Sequence, residues 1–173
     1  MTHLVLAYAV VGIACAFAAL TDVRVRRIPN LVTGALALAA LPLALWAGPA
    51  AFGAALAVAA TVFVLGAGCF ALGVLGGGDV KLLAAASLAL GYPLAIGFVT
   101  ATIICGGVFA LGFLVVRGRL GESAARLRAA ISGGGRAAIG SGSGRLPYAL
   151  AIAAGAACSA LGTFAAPLAR IAR

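Results

Sequence analysis

Asp22 and Asp79 are the only aspartates in a chain with three acidic residues in all, against twelve lysines and arginines. Two carboxyl groups brought within a few ångströms cannot both ionise easily, so one titrates high and the pair shares a proton. The ionised member can take a proton from water while the protonated one polarises a carbonyl. That is amide hydrolysis without a covalent intermediate or a metal. Other chemistries fit less well. His3 is the only histidine, and the topology derived below sets it across the membrane from the aspartates, which excludes a nucleophile–histidine triad. Cys15, Cys69, Cys105 and Cys158 each lie inside an apolar run without CxxC spacing. They read as small buried hydrophobes, with no metal site, disulfide framework or cofactor expected.

Each aspartate also has a plainer role open to it. Asp22 could cap a helix end or pair with Arg24 or Arg26, and Asp79 could cap a helix beginning at Val80. The run Gly76-Gly77-Gly78 immediately before Asp79 favours chemistry. Glycine costs about 1 kcal/mol relative to alanine in a helix. Backbone freed at membrane depth is tolerated only where it is buried in protein or lines a watery cavity, and glycine lets an extended peptide approach closely. Gly76, Gly77 and Gly78 are therefore expected to shape an active-site loop. Lys81 either holds a negative group, tunes Asp79, or snorkels as an ordinary interfacial lysine, the reading its position favours.

The elements that must position these residues follow from composition. Of 173 residues, 65% are hydrophobic and 9% charged, whereas a soluble domain is about half apolar and a quarter charged. The chain reads as an integral membrane protein, a single polytopic domain over 1–173. Apolar runs cover Leu4–Leu20, Leu31–Ala47 and Ala50–Leu75. A fourth stretch is uncharged from Leu82 to Val116, and Gly91-Tyr92-Pro93 divides it into a short helix near 80–91 and a longer one near 93–116. A last run covers Leu146–Leu168. Lipid tolerates only backbones that satisfy themselves, so the expected fold is all-α with six transmembrane helices. Between the last two runs, 117–145 holds six arginines and a Gly/Ser-rich tail. Leu120, Ala124, Leu127 and Ile131 fall at helical spacing there, as in a surface helix followed by a linker.

Charge sets the sides. With the N-terminus outside, segments 21–30, 76–81 and 117–145 face the cytoplasm and carry ten of the twelve basic residues. The net charge of +9 thus reflects the positive-inside bias, with anchoring of 117–145 to anionic lipid, rather than nucleic-acid binding. Two complete spans separate Asp22 from Asp79, so parity alone returns both carboxylates to one membrane surface. An ionisable group there is costly unless it faces water or a partner.

Gly76-Gly77-Gly78-Asp79-Val80-Lys81-Leu82-Leu83 resembles the GxGD motif of intramembrane aspartyl proteases, in the form carried by prepilin peptidases (type IV leader peptidases). Asp22 through Pro29-Asn30 is similar to the segment with that family's first catalytic aspartate, and Leu146 through Gly155 to its last-helix signature. Ala149-Leu150 stands where many relatives have Gly-Pro. The resemblance implies a membrane aspartic endopeptidase of the bacterial inner membrane, with Asp22 and Asp79 catalytic at the cytoplasmic face. Its partners would be the lipid bilayer and, as substrate, a prepilin of the tight-adherence (Flp) type. The cysteine-bearing extra segment of larger, N-methylating members is missing, so methyltransferase activity is not expected. Two rivals use the same residues differently: a proton- or ion-coupled carrier, though no internal repeat is visible, and a non-catalytic scaffold of a pilus or secretion machine.

Overall fold

The computed structural model describes residues 2–25, 28–72, 74–116 and 148–171. The basic segment 117–145, with its expected surface helix, lies outside these. The described residues form six helices and no strand: α1 (Thr2–Val25), α2 (Asn30–Trp46), α3 (Pro49–Ala71), α4 (Gly77–Leu90), α5 (Leu94–Val116) and α6 (Tyr148–Ile171). Thr2–Val25, Pro49–Ala71 and Leu94–Gly112 are long and apolar enough to cross a bilayer, and Asn30–Trp46 and Tyr148–Phe164 are shorter apolar helices. The all-α membrane fold expected from composition is the fold observed.

Two boundaries differ from the hydropathy reading. α1 continues past Leu20 through the polar residues to Val25, because no breaker intervenes before Pro29. Thr21 keeps its hydroxyl inside the helix, donating to the Phe17 and Ala18 carbonyls at 3.0 and 2.9 Å. Asp22 is therefore a helical residue, one turn from the end of α1. α3 stops at Ala71 rather than Leu75. There the Leu72 and Val74 N–H groups fold back onto the Gly68 and Cys69 carbonyls, satisfying helix-end acceptors. The break between α4 and α5 falls where Gly91 and Pro93 predict it, and Gly91 takes φ +67°, a conformation open to glycine at little cost.

Of the six, α4 is the innermost. It packs against all five other helices, and ten of its fourteen residues are buried. At 1.5 Å per residue it is about 21 Å long, short of the ~30 Å hydrocarbon core, so its neighbours rather than lipid surround it. α1, α3 and α5 show the reverse pattern, with Ile13, Val64, Leu65, Ile103 and Val108 exposed. Helices apolar on every side suit a lipid surround. Without a hydrophobic drive between helices in lipid, close approach of small residues supplies the packing. Gly66 on α3 receives Val80 of α4, where a Cβ would stand 2.9 Å from Cγ1, and Gly106 on α5 receives the Tyr148 ring of α6. At the far end of the bundle, Tyr8 of α1 bonds Ser159 and Thr163 of α6, each at 3.0 Å.

Candidate active site

α2 and α3 carry the chain away from the end of α1 and back, so the last turn of α1 and the first turn of α4 meet at one end of the bundle. Asp22 lies on the first and Asp79 on the second. Asp22 lies in the last turn of α1, whose 24 residues run about 36 Å and so outreach the ~30 Å hydrocarbon core, and Asp79 lies in the first turn of a helix too short to span. Asp22 is near enough for its charge to act on Asp79.

Their surroundings differ. Asp79 is 8% exposed and occupies the third position of α4. Its Oδ2 accepts the Gly76 N–H at 3.2 Å. This is the return half of a capping box, glycine having no side chain for the other half. Oδ1 is buried and has no hydrogen-bond partner. Burial, then the neighbouring charge of Asp22, push the Asp79 carboxyl up to about 6, against the Gly76 hydrogen bond that favours the charged form. Asp22 is partly exposed. Burial raises its carboxyl too, and a backbone hydrogen bond from Ala149, in the first turn of α6, works the other way. Arg24 sits two positions on, about 200° around the helix, and so does not share its face.

The glycine run is not a loop throughout. Only Gly76 is extended (φ −79°, ψ 147°), while Gly77 and Gly78 form the start of α4. The first turn of a helix lacks intrahelical partners for its N–H groups in any case, which softens the cost of glycine there. What the glycines supply is room. A Cβ at Gly76 would stand 2.7 Å from Asp79 Oδ2, and one at Gly78 3.0 Å from Ile28 Cβ. Gly77 lies against the Phe70 ring with space for ordinary contact. Lys81 neither holds Asp79 nor projects freely, because its Nζ donates to Asn30 Oδ1 at 3.1 Å. That bond ties the start of α2 to the start of α4 across the site.

Sequence reasoning passed over Ile28, Asn30, Tyr148 and Ala149 as site residues. Tyr148 sits in the Gly106 notch with its hydroxyl toward α5, and the charge of Asp79 reaches it. The available signal was that all four lie in the segments 22–30 and 146–155, beside the motif residues themselves. Among the described residues no three His, Cys, Asp or Glu side chains gather as metal ligands. The arrangement holds two unlike carboxyls at one end of the bundle, one of them buried with an oxygen that has no hydrogen-bond partner, and two such groups are the equipment for water-mediated amide hydrolysis.

A family model described as the type IV leader peptidase family matches residues 9–111, from α1 to near the end of α5, and spans Asp22, the glycine run and Asp79. No curated protein and no solved structure matches the chain.

Proposed function

The chain belongs to the type IV leader peptidase family, and from that premise we propose that it is an aspartic endopeptidase removing the N-terminal leader of Flp-type prepilins. Asp22 and Asp79 are its catalytic pair. The observation that carries the reading is the pairing of a buried, high-titrating Asp79 with a second carboxyl near enough to act on it. A solitary capping aspartate needs no such neighbour, and a charge that served only to hold the fold would be matched by an opposite one.

The working face is cytoplasmic and the membrane is the bacterial inner membrane. The basic residues support this, concentrating in 21–30, 76–81 and 117–145. A prepilin held in the same bilayer presents the junction between its leader and its apolar helix at that level. One carboxyl takes a proton from water as the oxygen attacks the scissile carbonyl, and the other donates to the carbonyl oxygen. The pair then protonates the leaving nitrogen as the C–N bond breaks. Gly76 and Gly78 let the Asp79 carboxyl and the Ile28 side chain pack close against the first turn of α4. The Lys81–Asn30 bond holds the rim.

The test is purified protein incubated with a synthetic prepilin peptide spanning the junction. Mass spectrometry is expected to show the leader and the trimmed helix as two products. An intact peptide with well-folded wild-type protein overturns the reading, and proton-driven solute uptake by the same preparation would replace it with a carrier.

A further inference from the structure

We propose that the two aspartates hold fixed and different roles, the one proton that the pair shares residing on Asp79 and passing to the scissile carbonyl oxygen while Asp22 is the ionised member and takes the proton of the attacking water. This rests on the peptidase reading above and deepens it.

The geometry separates the two groups. Asp79 is enclosed, with Oδ2 occupied by the Gly76 N–H and Oδ1 buried without a partner. A buried charge with a single hydrogen bond is among the costliest states a side chain can adopt. Placing a proton on Oδ1 removes the charge, keeps Oδ2 as acceptor for Gly76, and leaves one O–H donor lacking only an acceptor. A substrate carbonyl oxygen is such an acceptor. Asp22 is reached by solvent at the end of α1 and receives the Ala149 N–H from the first turn of α6, the helix end that favours an anion.

The groups facing Asp79 from each neighbouring helix agree with this. α1 offers the carboxyl of Asp22, α6 the neutral phenol of Tyr148, and α3 the thiol of Cys69, which acts on Tyr148. The start of α2 offers only Asn30, which engages Lys81. The sole titratable residue of α5, Cys105, is turned to Cys158. Among these described neighbours no cation lies against Asp79 to stabilise its ionised form.

The proton balance closes. Water loses one proton to Asp22 as its oxygen bonds the carbonyl carbon, and Asp79 passes its own to the carbonyl oxygen, giving a gem-diol. Asp22 then protonates the amide nitrogen as the C–N bond breaks. One diol hydroxyl returns a proton to Asp79, leaving a carboxylic acid and restoring both groups.

Infrared titration tests the assignment, because the chain has only three acidic side chains and few bands compete. In ester-free detergent, the protonated-carboxyl stretch is followed against pH in Asp22→Asn and in Asp79→Asn. The aspartyl carboxyl remaining in Asp22→Asn is expected to lose its proton at higher pH than the one remaining in Asp79→Asn, with Glu122 common to both. Equal or reversed midpoints overturn the proposal. Should either variant fail to fold by circular dichroism, carbon-13 aspartate labelling of the unaltered protein decides the matter. Its two carboxyl resonances are expected to move at separate pH values, the solvent-shielded one later. Joint movement, or the shielded one moving first, overturns it. Peptide trimming by wild type tests the peptidase reading separately: reversed midpoints with trimming intact remove only the division of roles.

Discussion

The two ends of the α1–α6 pairing carry polar groups of opposite character. At one end Tyr8 meets Ser159 and Thr163 at 3.0 Å each, with the Phe164 ring edge-on at 5.5 Å between centroids. There every hydroxyl has a partner, as expected of groups that hold helices together. About 21 Å along α1, fourteen residues on, Asp22 approaches Asp79, and there the polar inventory is left open, with Asp79 Oδ1 buried and unpartnered. Ser87 Oγ, deeper along α4, is also buried without a partner, so what sets this end apart is that its open oxygen belongs to a carboxyl with a second carboxyl beside it.

That contrast can be broken in a graded way. Asp79→Asn, close in shape to the protonated acid, is expected to lower prepilin trimming by ~10⁴-fold or more while leaving thermal stability near wild type. A large loss of stability with activity retained would move Asp79 to the structural side. Gly78→Val, intruding where even a Cβ would stand 3.0 Å from Ile28, is expected to cost ~10²-fold in kcat through displacement of the first turn of α4. Steady-state kinetics check it. pH sharpens the picture further. On the proposed division of roles the active form needs the proton that Asp79 holds up to about 6, so kcat/KM is expected to fall roughly tenfold per unit above that midpoint. The sign for stability is the same. The folded state binds this proton more tightly than the unfolded chain, so the contribution is complete below the ordinary carboxyl value of 3.8 and is lost as pH rises through about 6. At the far end, Tyr8→Phe removes two hydrogen bonds and is expected to lower stability by about 1 kcal/mol in a bilayer or detergent unfolding assay, with trimming unchanged. An effect of Tyr8→Phe on trimming would erase the distinction between the ends.

Much of this was legible in the residues. Long apolar runs give helices because lipid leaves the backbone no other partner, and Gly91 with Pro93 fixes the α4–α5 break through backbone sterics that are local to those residues. The convergence of Asp22 and Asp79 follows from parity, since two intervening helices must return the chain to its starting side. What was not legible depends on contacts between distant positions. The extension of α1 to Val25 runs against hydropathy because helix continues until something stops it. The helical conformation of Gly77 and Gly78 reflects Ile28 and Phe70 packing beside them, which glycine's propensity alone does not reveal. The Lys81–Asn30 bond joins residues 51 apart in sequence, and the Ala149–Asp22 contact joins the first helix to the last. Both belong to tertiary packing.

The central claim, that Asp22 and Asp79 act as one reacting unit, is tested most directly by single-turnover trimming of a prepilin peptide by wild type, Asp22→Asn, Asp79→Asn and the double variant in the same bilayer preparation. Members of one catalytic unit are grossly non-additive, so each single variant is expected to be as slow as the double. Trimming at the wild-type rate by either single variant, or losses that simply multiply in the double, would contradict it.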